Sequence, residues 1–182
     1  MRSTRHPRSI LAICAFAAIL VVALVGIAVA QERGDDSARA SKNGVAQGTI
    51  GAADVKVTYG RPKVKGREIW DKLVPYAAVW RAGADEATTI TFSKPVKVEG
   101  KDVPAGTYGL FYIPTADKWT VVLNKVSKQW GAFRYAEKDD LVRVDVKPMT
   151  GQPMTEELTY EIAGDKVVLK WEKVAVPFTV TG

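Results

Sequence analysis

Leu158-Thr159-Tyr160-Glu161-Ile162-Ala163-Gly164-Asp165-Lys166-Val167-Val168-Leu169-Lys170-Trp171 is the stretch that decides the fold. Leu158, Tyr160 and Ile162 alternate with Thr159 and Glu161, the two-residue period of a strand with one buried face. Ala163-Gly164-Asp165 is a turn by composition, and beyond it Val167, Leu169 and Trp171 resume the period. The two runs are therefore expected to pair as an antiparallel hairpin.

Working outward, the same period recurs. Val142, Val144 and Val146 alternate with Arg143, Asp145 and Lys147; Trp119, Val121 and Leu123 share a face; Gly106–Pro114 precedes them across the turn Pro114-Thr115-Ala116-Asp117. Val55, Val57 and Tyr59 oppose Lys56 and Thr58 in a strand ending at Gly60. Residues 87–92 are rich in β-branched types, and 95–98 lead into a turn at Glu99-Gly100-Lys101-Asp102, a hairpin signal. Residues 174–180 contain Pro177, which cannot donate to a ladder, so they read as an edge strand open to pairing with another chain. About nine short strands with no long amphipathic helix predict an all-β domain over residues 51–182, an antiparallel β-sandwich of jelly-roll-like kind. One exception lies near residues 66–74, where Ile69, Trp70, Leu73 and Val74 are spaced like one or two helical turns stopped by Pro75.

The N-terminal fifty residues differ in character. Arg2, Arg5 and Arg8 precede an apolar run from Ile10 to Ala30 that closes on Ala28-Val29-Ala30, small residues where a signal peptidase reads. At ~1.5 Å per helical residue the run is also long enough to cross a bilayer, so residues 1–30 are either a cleaved signal peptide, which the ending favours, or an anchor to the inner membrane. In both cases the basic end stays in the cytoplasm, and the domain is expected to be exported, periplasmic or extracellular. Cys14 does not sit in a lipoprotein acylation site, because Ile13 before it is not small and most of the apolar run follows it. Residues 31–50 are small, polar and charged without apolar period, and read as a disordered leader.

The chain carries 26 Lys+Arg against 20 Asp+Glu, a formal net charge of +6. Removing residues 1–30 removes three arginines and no acid, leaving 23 against 20, or +3. So mild a balance gives no argument for nucleic acid. Cys14 and His6 are the chain's single cysteine and histidine, so nothing beyond residue 30 can form a Ser-His-Asp or Cys-His nucleophile, a thiolate or imidazole metal site, or a disulfide. No cofactor or metal is expected; carboxylates, tyrosines, lysines and arginines remain, and the core must hold the fold by itself.

The most unusual stretch is Tyr59-Gly60-Arg61-Pro62-Lys63-Val64-Lys65-Gly66-Arg67-Glu68-Ile69-Trp70, followed by Pro75-Tyr76-Ala77-Ala78-Val79-Trp80-Arg81-Ala82-Gly83-Ala84-Asp85-Glu86-Ala87-Thr88. It departs from strand alternation and gathers three arginines, aromatics and acids between two strands, the kind of long irregular connection that carries function. Together with Val103-Pro104-Ala105-Gly106-Thr107-Tyr108, Leu110-Phe111-Tyr112-Ile113-Pro114, Trp119-Thr120, Asn124, Trp130-Gly131, Tyr135 and Arg143-Val144, it resembles the signature of an uncharacterised family of secreted bacterial proteins, catalogued as domain of unknown function 2911. The resemblance covers the chain from about residue 50 and departs at Asp85 and Trp70, where the family has asparagine and phenylalanine. It implies an extracytoplasmic β-sandwich and carries no catalytic assignment.

Arg61, Arg67 and Arg81 could present planar donor forks to a carboxylate, sulfate or phosphate beside Trp or Tyr faces. Alternatively they pair with Glu86, Asp85 and Glu68 and pin the connection to the sheets. Trp130, outside any alternating run and followed by glycine, could stack on a sugar or apolar ligand or cap the core. The candidate ligand-binding set is thus Tyr59, Arg61, Arg67, Arg81, Glu86 and Trp130, for a small anionic or sugar-like ligand. A carboxylate-dependent hydrolase or isomerase working through Glu86 is the alternative. Asp139-Asp140 read as a solvated turn. Gly106–Tyr112 looks like the aromatic strand of RNA-recognition domains, but the helices of that fold are missing.

Overall fold

In the computed structural model, which describes residues 33–182, the deciding hairpin forms in the expected register. Thr155–Ala163 pairs antiparallel with Lys166–Glu172, placing Tyr160 opposite Leu169 and Ile162 opposite Val167. Among the described residues there are eleven strands in chain order: β1 (Lys42–Ile50), β2 (Ala53–Arg61), β3 (Thr89–Phe92), β4 (Val96–Val98), β5 (Lys101–Val103), β6 (Gly106–Pro114), β7 (Trp119–Asn124), β8 (Asp140–Val146), β9 (Thr155–Ala163), β10 (Lys166–Glu172) and β11 (Val174–Thr181). They form two antiparallel sheets, a six-stranded one ordered β1-β2-β3-β6-β7-β8 and a five-stranded one ordered β5-β4-β11-β10-β9. Both are meanders, and jelly-roll-like interleaving is limited to the β4–β5 hairpin, which leaves the first sheet to join the second.

Between the sheets the alternating residues meet. Val57, Ile90, Leu110, Val121 and Leu123 of one sheet, and Leu158, Leu169, Val176 and Phe178 of the other, are all buried in one cluster. Fully burying each such side chain stabilises the fold by roughly 1.5–3 kcal/mol, an upper estimate for a chain with no disulfide. A second, smaller cluster lies on the outer face of the six-stranded sheet, where Phe111, Val122 and Ala87 are covered by Val79, Ala132 and Tyr135. The aromatic strand β6 is therefore covered on both faces.

Four expectations are corrected. The predicted leader over residues 31–50 ends early, because Lys42–Ile50 is β1, paired along its length with β2. Its inward positions are small because its neighbours fill the space: a Cβ on Gly44 would lie 2.7 Å from the Tyr59 ring, and one on Gly48 would lie 2.9 Å from Ile162. The helical turns expected near 66–74 do not form. Asp71 takes a left-handed φ of 60°, the Val74 N–H reaches back to the Ile69 carbonyl, and the pair Ile69 and Val74 turns inward as a buried plug. Among the described residues the one short helix is a 3-10 turn at Glu137–Asp139.

Residues 174–180 are not an edge, since β11 lies between β10 and β4. Beyond its ladder with β10, β11 is paired at Ala175 with Met149 and at Val180 with Val98, so Pro177, which has no N–H, falls in the gap. Finally, the hairpin turn at Glu99-Gly100 is tighter than predicted, with Lys101 and Asp102 already in β5. The signal peptide or anchor expected at residues 1–30 lies outside the described residues, among which no helix is long and apolar enough to cross a membrane.

Candidate functional site

Residues 62–88 link β2 to β3 by closing one end of the sandwich, tied first to one sheet and then to the other. The Val64 N–H donates to the Glu156 carbonyl at 2.8 Å, and the Leu158 N–H to the Pro62 carbonyl at 3.0 Å, which fixes the start of the connection on β9. Trp80 and Tyr112 then exchange backbone hydrogen bonds at 2.7 and 2.9 Å, which fixes its middle on β6. The return passes under Gly60 so closely that a Cβ there would lie 2.5 Å from the Ala84 carbonyl oxygen. Two hydroxyls hold the Ala82 carbonyl, those of Thr88 at 3.0 Å and Tyr160 at 3.1 Å.

Backbone strain concentrates in this connection. Of the seven non-glycine residues with positive φ among the described residues, five fall within it: Lys65, Asp71, Ala77, Ala82 and Asp85. Each costs on the order of 1–3 kcal/mol unless its surroundings enforce it, and such residues cluster at functional sites.

The connection encloses a cleft of about 420 Å³. Its lining includes Trp80 and Trp171, stacked at 5.8 Å with planes 13° apart, and the charged residues Lys63, Lys65, Arg67, Arg81 and Asp85. Ala40 and Ser41 of the N-terminal segment complete one wall. Four cations thus face a single carboxylate. Arg81 is the most telling of them. Its Nε is enclosed and has no hydrogen-bond partner, and its guanidinium makes no ion pair among the described residues. Its Nη1 lies near Gly131, where a built Cβ would sit 3.5 Å from it.

The structure divides the six predicted residues. Arg67 and Arg81 share the cleft, and Arg67 is steadied by its Nε donating to the Val64 carbonyl at 3.0 Å and by a second bond to the Lys63 carbonyl. Arg61 pairs instead with Glu157 at 3.3 Å, the carboxylate that also takes Lys63 at 3.1 Å. Tyr59 is buried in the core, its ring edge-on to Tyr160 at 4.8 Å and its hydroxyl accepting from the Tyr160 N–H. Trp130 is 57% exposed on a neighbouring loop.

Glu86 is buried, and its partners are not the three arginines of the connection. Arg39 grips it with both Nη atoms, at 2.5 Å to Oε2 and 2.8 Å to Oε1, and Arg33 approaches Oε2 at 3.0 Å. Arg33 also donates to the Ala84 and Glu86 carbonyls and to Asn43 Oδ1, and Arg39 lies 3.7 Å from Asp85. The Arg39 fork holds the Glu86 carboxyl below the ordinary carboxylate range, against the opposing effect of burial. Burial lowers the Arg33 guanidinium, the Glu86 charge partly offsetting it. A carboxylate clamped on both oxygens is poorly placed to give or take a proton, which counts against Glu86 as a general acid or base.

Sequence reasoning missed Arg33, Arg39, Lys63 and Lys65. The two arginines stand in an aperiodic polar stretch about fifty residues from their partner, and no local pattern links them. Asp140, read as solvated, is instead half-buried with its side chain only 5% exposed: its carboxylate accepts from Asn124 Nδ2 at 2.8 Å and the Tyr135 hydroxyl at 2.7 Å, with Arg143 at 3.2 Å. That network is satisfied and structural. Among the described residues no group of three or more His, Cys, Asp or Glu is placed to hold a metal ion.

No curated protein and no solved structure matches the chain. A family described as "Protein of unknown function (DUF2911)" matches residues 41–180, starting one residue before β1 and running almost to the end of β11. The match spans both sheets and the whole connection that builds the cleft, and the chain therefore belongs to the DUF2911 family.

Proposed function

We propose that the domain is an extracytoplasmic binding module, rather than an enzyme, whose cleft takes a small organic anion. The extracytoplasmic placement rests on the composition of residues 1–30, and the anion on the charges of the cleft. The observation that carries the reading is Arg81: a guanidinium on the cleft wall whose Nε is shut away from solvent without a protein acceptor. Desolvating a charged donor without a partner is costly; with no ion pair of its own among the described residues, the reachable part of the guanidinium is free to pair with an arriving carboxylate, sulfate or phosphate. Arg67, Lys63 and Lys65 add positive field, and Trp80 offers apolar surface to the body of the ligand, so an acidic sugar or an aromatic acid fits better than a bare ion.

Calorimetric titration of the protein with phenyl phosphate and with benzoate tests this. Arg81→Ala, shown by circular dichroism to stay folded, is expected to weaken binding on the order of tenfold to a hundredfold, the worth of a hydrogen-bonded charge. Equal affinity in the folded variant, or no binding of either anion to the wild type, would remove the proposal.

A further inference from the structure

Beside the cleft, on the loop that carries Gly131, exposed apolar surface gathers. Trp130 is 57% exposed and Phe133 is 85% exposed. The loop that presents them is not loose. The Gly131 N–H donates to the Asp85 carbonyl at 2.9 Å and the Ala87 N–H to the Gln129 carbonyl at 3.0 Å. The buried Gln129 side chain donates to the Val126 carbonyl at 2.9 Å and accepts from the Arg134 N–H at 3.1 Å. Two large aromatic side chains are thus held out into water by a bonded scaffold, the mark of a surface with a partner.

Two further observations identify the partner. Residues 125–136 carry Lys125, Lys128 and Arg134, all exposed, and no carboxylate, so within the loop itself the aromatics are flanked by cations alone. The described chain also begins on this side of the domain, since Arg33 donates to the carbonyls of Ala84 and Glu86, and Glu86 forms a β-bridge with Trp130. In sequence only Gln31 and Glu32 separate Arg33 from the end of the apolar run at Ala30, a reach of at most ~11 Å.

We propose that, with the apolar run Ile10–Ala30 retained as a membrane anchor, the Trp130–Phe133 loop seats in the interfacial layer of an anionic phospholipid bilayer, the membrane which that run would enter. Trp130 lies at headgroup level, Phe133 reaches the acyl boundary, and Lys128 and Arg134 meet lipid phosphates. The proposal is independent of the anion reading of the cleft, whose lining includes neither aromatic.

The full chain, reconstituted into vesicles of phosphatidylglycerol and phosphatidylcholine with brominated acyl chains, tests it. The difference in emission between wild type and Trp130→Phe isolates Trp130 from the other four tryptophans, and the conservative ring change leaves the β-bridge intact. Brominated lipid is expected to quench that difference signal while aqueous iodide does not, and Lys128→Gln with Arg134→Gln is expected to reduce the lipid quenching. Identical lipid quenching of wild type and Trp130→Phe, in vesicles that float with the protein, would overturn the proposal. Trp130 shielded from lipid and iodide alike would also overturn it, since a second copy or another protein would then cover the loop.

Discussion

Replacing Glu86 by glutamine would remove the charge that two arginines of the N-terminal segment converge on. The wild-type carboxylate is 9% exposed and takes three contacts of 3.0 Å or less from Arg33 and Arg39, while the Arg33 side chain is itself only 3% exposed. Glutamine keeps the shape, offers one acceptor oxygen in place of two, and turns an amide donor toward guanidinium donors. Arg33 is then left buried without a compensating charge, and breaking a buried pair from one side costs about 3–5 kcal/mol. For a domain of this size that corresponds to a melting temperature lower by on the order of 10 °C. Chemical denaturation gives the free energy, with an unchanged slope marking a change of stability and not of compactness. A double-mutant cycle with Arg39→Ala isolates the coupling, which is expected to be favourable. An unfolding free energy that changes by less than about 0.5 kcal/mol would refute the reasoning: residues 33–41 would then be a bystander, and the ion cluster would not fasten them to the fold.

Two other outcomes follow from the same geometry. Because Glu86 titrates below its ordinary value of 4.5 in the folded state, the folded protein binds fewer protons than the unfolded chain in that range; the stabilisation is complete above pH 4.5 and is lost as pH falls through the depressed value. The stability gap between wild type and Glu86→Gln should therefore be flat from neutral pH down to about 4.5 and shrink below it, and a gap that widens on acidification would contradict the assignment. Gly60→Ala would place a methyl 2.5 Å from the Ala84 carbonyl oxygen, backbone that cannot swing aside, so a loss of about 1–3 kcal/mol in denaturant titration is expected, and a neutral substitution would show that the connection does not rest on β2.

Most of the sandwich is legible from side-chain period, and the exceptions have physical causes. Leu158–Trp171 and Trp119–Leu123 declare themselves because large residues alternate with polar ones, and Trp119 and Trp171 are core as read. β1 is silent because Gly44, Ala46 and Gly48 yield the space to Tyr59 and Ile162, so the strand shows composition without period. The connection was recognisable as irregular, and Arg67 and Arg81 as candidates within it, because two-residue alternation stops there. Which acid pairs with which arginine was not legible: Glu86 and Arg39 are brought together by the β1–β2 pairing and the return at Gly60, contacts between residues far apart in sequence. For the same reason Trp130 could be placed in a loop from its neighbours, whereas its exposure depends on Gln129, a buried polar residue that reads as surface.

The binding reading stands on one side chain, and nuclear magnetic resonance of arginine Nε–Hε groups observes it directly. On titration with phenyl phosphate the Arg81 Hε resonance is predicted to move as the guanidinium pairs with the anion, while the resonances of Arg33 and Arg39, already committed to Glu86, stay in place. An Arg81 resonance that holds still while the ligand saturates the protein elsewhere would contradict the account.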